Sequence, residues 1–281
     1  MADIVATIGM AHAPGITGWL DSAPPEEQEA IESGYRRLGD LFRATRPDLI
    51  IGLANDHMLN MPLENPPDFR VGLAPSWSGP AEFFRDWLKV PDYRLDGNPD
   101  AARIVLRGMT EAGLRVDSAE ELLFDDNWSV PLRYLTPSYD IPLVPIQMNC
   151  INPPVPSSET SLAAGHALGR IIREDLPQGM RVALIGTGGL SHEPGGKRYF
   201  TVDAAFDRWF LDLLASGDEG RVVREANVAK MEEAGGGGTA ELLAWIAIMG
   251  AAERKTATPL FYVSSVEMRC GIGAAYWDLA Q

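Results

Sequence analysis

The chain has 281 residues, 46% of them hydrophobic and 22% charged, and a formal net charge of -15. This fits a single globular domain over residues 1–281, long enough to bury a substantial core. The acidic balance argues against a nucleic acid partner, and no apolar run approaches the length that spans a bilayer.

The first expected strand is Asp3–Gly9, followed by a Gly/Pro loop, Ala11 to Gly18, that carries His12. Ser22, Pro24-Pro25 and Glu26-Glu27 mark a helix start, and the spacing of Ile31, Tyr35, Leu38, Leu41 and Phe42 extends that helix to about Arg46. Asp48–Ala54 reads as the second strand. A Pro-rich irregular stretch follows, with a short strand at Phe69–Leu73. Pro80–Leu88 and Asn98–Ala112 read as helices. Ile141–Met148 reads as a strand whose two prolines favour an edge or a bulge. Beyond it come a helix at Ser158–Asp175, a strand at Arg181–Gly186, and helices at Val202–Ala215 and Glu219–Glu233. Gly235–Gly238 reads as a flexible stop before a helix at Thr239–Ala252, and Leu260–Val266 closes the strand list. Alternating strands and helices predict an α/β fold, a central mixed sheet flanked by helices on both faces.

The N-terminus lacks a basic region followed by a long apolar run, so no leader is expected. Cys150 and Cys270 give no disulfide framework and no CxxC motif, which suits a cytoplasmic protein. Cys150, ending an apolar strand, is expected to be buried.

Three of the four histidines, His12, His57 and His192, lie just past expected strand ends. In an open α/β sheet the loops beyond those ends converge on a ligand crevice. His12 and His57 with one carboxylate would make the 2-His-1-carboxylate set of non-haem Fe(II) sites, and the Cys ligands of a structural zinc site are missing. Packing with a hydrogen bond to a carbonyl is the plainer role for either histidine. The carboxylate is open at this level. Glu241 opens an apolar helix, where an acid also serves the helix dipole, and Asp56 beside His57 competes. His192, in a Gly-rich turn, suits general base work or a third ligand position. His166 falls mid-helix and reads as structural. Gly186-Thr187-Gly188-Gly189 fits no nucleotide-binding spacing.

Five pieces in order, His12-Ala13-Pro14, Asn55-Asp56-His57, Val130-Pro131-Leu132, Gly186 to His192, and Glu241 to Trp245, resemble the class III (LigB-type) extradiol ring-cleavage dioxygenases over nearly the whole chain. The resemblance implies Fe(II) held by His12, His57 and Glu241, with His192 as the acid/base. It implies a small aromatic substrate, with Thr187 and Ser191 of the glycine segment near it, and O2 as the second substrate. A homo-oligomer is common among such proteins, and some carry a small partner subunit. Members usually have Asp-His-Gly before Val-Pro-Leu. Here Asp126 stands where that histidine is expected, so Asp126 becomes a candidate catalytic and substrate-binding residue that would repel a nearby substrate carboxylate. A capping role for Asp126 is the plainer alternative. A metal-dependent hydrolase and a non-catalytic relative are the competing functions. Seven tryptophans are present, and Trp19, Trp77 and Trp128, placed in loops, are candidate walls of an aromatic pocket.

Overall fold

The computed structural model describes residues 1–253 and 255–277. Its strands are β1 (Asp3–Met10), β2 (Leu49–Asn55), β3 (Phe69–Gly72), β4 (Ser76–Gly79), β5 (Tyr93–Asp96), β6 (Val116–Ala119), β7 (Leu143–Met148), β8 (Arg181–Thr187), β9 (Ala257–Ser265) and β10 (Cys270–Trp277). Eight form one sheet in the order β6-β3-β7-β2-β8-β1-β10-β9, while β4 and β5 pair separately. The four central strands β7, β2, β8 and β1 are mutually parallel, and β3 and β10 run antiparallel to them. The sheet is therefore mixed, as expected.

Continuous apolar runs in the central strands follow from burial on both faces. Leu49, Ile51 and Leu53 of β2 join one core with the helices Pro99–Glu111, Ser158–Asp175, Ala204–Ala215 and Leu243–Ala251. Ile50 and Ala54 join the other, with the helices Pro25–Ala44 and Asp126–Leu135. Helices Ser158–Asp175 and Leu243–Ala251 meet backbone to backbone, since a Cβ on Gly165 would lie 1.8 Å from the Ala247 carbonyl oxygen.

Several expectations need correction. β7 is central, not an edge. Its Pro145 sits opposite Gly52 of β2, and the ladder to β3 begins only at Ile146. Leu260–Val266 does not close the strand list, because β10 follows as the neighbour of β1. Ser22 does not cap the first long helix, which starts at Pro25 with no side-chain cap. The expected helix Glu219–Glu233 is two helices, Glu219–Glu225 and Val228–Gly235, broken at Asn227, whose side chain caps the second. The tetraglycine is not a flexible stop. Gly235 ends a helix, and Gly236–Leu242 is a 3-10 turn leading into Leu243–Ala251. A Cβ on Gly235 would lie 2.5 Å from the His192 backbone nitrogen, and one on Gly238 2.6 Å from His192 Nε2, so glycine serves close approach there. Trp128 is fully buried in the helix Asp126–Leu135 and Trp77 is buried in β4, so of the three named tryptophans Trp19 alone reaches the cleft described below.

Candidate active site

The C-terminal ends of the parallel strands deliver the histidines to one edge. β1 ends at Met10, two residues before His12. β2 ends at Asn55, two before His57, and β8 ends at Thr187, five before His192. All three imidazoles line a cleft of about 320 Å³ with Asp125, Asp126 and Glu241. Trp19, Phe84, Trp87 and Tyr199 give it aromatic walls.

Glu241 is the centre of the arrangement. It is 1% exposed, and its carboxylate lies 3.2 Å from His12 Nε2, 3.2 Å from His57 Nε2 and 3.5 Å from His192 Nε2. Gly189 N donates to Oε2 at 2.7 Å and Asn55 Nδ2 to Oε1 at 3.2 Å. The carboxylate thus reaches across to another loop rather than to its own helix, so the dipole explanation fails. The glycine segment permits this. A Cβ on Gly188 would lie 2.7 Å from Glu241 Cβ, so the close approach is made by Glu241 and not by a nucleotide.

The outer nitrogens of the first two histidines are engaged. Thr187 Oγ1 donates to the Asn127 carbonyl at 3.0 Å, so it accepts from His12 Nδ1 at 2.9 Å. His12 Nε2 is then buried, without a hydrogen-bond partner, and faces the Glu241 carboxylate at 3.2 Å. A buried nitrogen and a carboxylate in that relation call for a shared proton or a metal cation between them. His57 Nδ1 meets Asp125 Oδ2 at 2.8 Å, while Asp125 Oδ1 caps the helix by accepting from Asn127 N at 2.9 Å. A nitrogen each of His12 and His57 and an oxygen of Asp126 also lie within 4.8 Å of one another. Asp126 approaches His57 on the Nδ1 side, at 3.5 Å. The cap in this turn is Asp125, and Asp126 follows it facing the cleft.

The charges are set by competition between burial and neighbours. Burial raises Glu241, but His192 and His12 outweigh it and hold the carboxyl well below its ordinary range. Burial opposes the imidazolium of His57, yet Asp125 and Asp126 together keep its pKa well above the usual value. Burial pushes Asp126 up to about 6 against the pull of His57. His192 donates from Nδ1 to the Leu190 carbonyl at 2.7 Å, leaving Nε2 for the cleft.

Thr187 and Ser191 do not line the cleft. Thr187 orients His12, and Ser191 anchors the His192 loop by donating to Asp207 from N at 2.7 Å and from Oγ at 3.0 Å. Asp56 is likewise committed, accepting from Asn60 N and Met61 N. His166 pairs with Glu219 at 3.3 Å, away from the site. Cys150 is buried, as expected.

Asp207 was not legible in the sequence as a site residue. Its one signal is an acid in the apolar helix Ala-Ala-Phe-Asp-Arg-Trp-Phe, where it is fully buried. Asp207→Ala would strand the Ser191 N–H, costing about 1–3 kcal/mol. Burial raises Asp207 to about 6 from the ordinary 3.8. The folded chain therefore takes up this proton before the unfolded chain does, so the group's contribution to stability grows as pH falls from 7 towards 4. Melting of both proteins across that range should show the gap between wild type and Asp207→Ala widening towards low pH. A constant gap contradicts the assignment.

An α/β sheet that brings three imidazoles and a buried carboxylate to one edge is the arrangement of a candidate metal centre, and sequence similarity gives the family. Residues 6–268 match the catalytic LigB subunit of aromatic ring-opening dioxygenase, and the chain belongs to that family. Among similar proteins is a 2,3-dihydroxyphenylpropionate/2,3-dihydroxicinnamic acid 1,2-dioxygenase from a Rhodococcus species, 26% identical and covering 96% of both chains. Another of the same name, from Paraburkholderia xenovorans, is 30% identical over 79% of this chain and 66% of its own. In fold, the chain is similar to the crystal structure of an uncharacterized protein from Escherichia coli K12. The TM-score is 0.60 at 14% identity, covering 96% of this chain and 99% of that one. The chain is thus an extradiol ring-cleaving dioxygenase of aromatic compounds. Among the described residues no helix is long and apolar enough to cross a membrane.

Proposed function

We propose that His12, His57 and Glu241 hold a non-haem Fe(II) ion and that a vicinal diol on an aromatic ring is opened beside its hydroxyls with O2. The observation that carries this reading is the buried Glu241 carboxylate facing Nε2 of both histidines at 3.2 Å. Two imidazoles and a carboxylate with no thiolate suit Fe(II) and leave positions for substrate. Bound iron would supply a common anchor for diol and O2 and stabilise charge as it develops. The relatives are named for 2,3-dihydroxyphenyl acids, which supports a vicinal diol here.

The chain's own residues then divide the work. Thr187 and Asp125 fix the two imidazoles so that each Nε2 points inward. His192 Nε2, on the cleft side, exchanges a proton with a ring hydroxyl during the reaction. Trp19 and Trp87, with ring centroids 5.6 Å apart, wall the ring and exclude water. Asp126 is placed to bias substrate charge. Asp126→His should change the ratio of kcat/KM between anionic and neutral catechols by about tenfold in favour of the anionic ones. An equal response of all substrates removes Asp126 from selectivity.

The free cysteines Cys150 and Cys270 support a cytoplasmic enzyme. Family resemblance supports a homo-oligomer, which light scattering reads directly. The test of the metal is reconstitution of the anaerobic apoprotein with Fe(II), Mn(II) or Zn(II). Oxygen-dependent turnover with Fe(II) alone is expected, and turnover with Zn(II) in the absence of O2 would favour a hydrolase instead.

A further inference from the structure

The cleft is acidic where the histidines stand, through Asp125, Asp126 and Glu241. Among the described residues lining it, one lysine or arginine is present, Arg269. It belongs to the turn between β9 and β10, where Arg269 N donates to the Val266 carbonyl at 3.1 Å. Its φ is 60°, in the left-handed region where glycine or asparagine would be the easy choice. Met268 and Cys270, on either side, also line the cleft.

The guanidinium is held by ring faces. Its carbon lies 4.6 Å from the Tyr199 centroid and 5.4 Å from those of Trp19 and Phe200. Nη1 donates to the Tyr199 hydroxyl. No carboxylate of the described residues lies within ion-pair reach of it, and Nε is buried without any partner. A buried charged donor without an acceptor is costly, and a planar fork of donors matches a carboxylate.

Resting on the diol reading above, we propose that Arg269 anchors a carboxylate carried on the substrate's side chain. The substrate class is then a catechol bearing a carboxylated chain. Its diol faces the histidines, and its carboxylate is steered away from Asp126 towards Arg269. This reconciles an acidic metal end, in a protein of net charge -15, with an anionic substrate. Arg269 acts on substrate orientation and specificity, not on the bond-making step.

The test pairs a 2,3-dihydroxyphenyl acid with its methyl ester. Anaerobic calorimetry on the Fe(II)-loaded protein gives Kd, and oxygen uptake gives kcat and KM. The wild type should favour the acid over the ester by about 10–100-fold in Kd and KM. Arg269→Gln should bring that ratio close to unity, and Arg269→Lys should keep part of it. Added salt should raise KM for the acid more than for the ester. Equal affinity of the wild type for acid and ester overturns the inference while leaving ring cleavage intact. So does an equal loss for both in Arg269→Gln, which would mean that Arg269 only clamps the Tyr199 loop. Failure of the iron-loaded wild type to bind or turn over either compound overturns the diol reading and this inference with it.

Discussion

Glu241→Ala should leave a protein that no longer holds iron and no longer consumes oxygen. The carboxylate is the charged group shared by His12 and His57, and it is buried with two dedicated donors, Gly189 N and Asn55 Nδ2. Alanine removes the anion that lies 3.2 Å from Nε2 of both imidazoles, so the loss of affinity should exceed the roughly 10–100-fold that removing a supporting residue costs. It also strands two buried donors, so a modest fall in Tm is expected. Glu241→Gln separates these effects. The amide keeps an oxygen for Gly189 but not the charge, so stability should recover more than iron binding does. Iron per chain after anaerobic reconstitution and gel filtration reads the result. His166→Ala, in an ion pair away from the cleft, serves as the reference and should load iron normally. Full loading of Glu241→Ala would pass the carboxylate role to Asp126, whose oxygen also lies near both histidines.

His192→Ala should behave oppositely, keeping iron while turnover falls by about 10²–10⁴-fold. Its Nδ1 is spent on the Leu190 carbonyl, and its Nε2 stands 3.5 Å from Glu241 Oε1, farther than the nitrogens of His12 and His57. That geometry leaves the metal ligands intact when the ring is removed, and it deletes the one imidazole free to exchange a proton with a bound hydroxyl. The loop should survive the change, because His192 N donates to Thr239 Oγ1 and the preceding Ser191 is tied to Asp207. An unchanged kcat would remove His192 from proton transfer, and a parallel loss of iron would make it a ligand.

The position of the three histidines was legible because strand ends in an open α/β sheet can be read from apolar runs, and loops there must converge. The carboxylate was not legible by pattern. Glu241 opens an apolar segment, where the helix dipole gives an acid a sufficient local reason to exist. Its real partners, Gly189 and Asn55, are 52 and 186 residues away in sequence. Family resemblance points to Glu241 where periodicity does not, and the structure brings that carboxylate to within 3.2–3.5 Å of the three histidines. The turn that carries Arg269 was missed with β10, whose Cys-Gly-Ile-Gly-Ala-Ala run has weak strand propensity. Packing makes those small residues necessary, since a Cβ on Gly271 would lie 2.1 Å from Asp207 Oδ2. The resemblance puts Thr187 and Ser191 near the substrate. Their hydroxyls are instead consumed by His12 and Asp207, which only the tertiary contacts reveal.

The most direct measurement is oxygen uptake by the anaerobically purified, Fe(II)-loaded chain on a panel of catechols, followed together with the absorbance of the products. One O2 consumed per ring-opened product, with both oxygen atoms recovered in that product, is the predicted result. Iron bound at His12, His57 and Glu241 with no oxygen consumed on any vicinal diol would contradict the account.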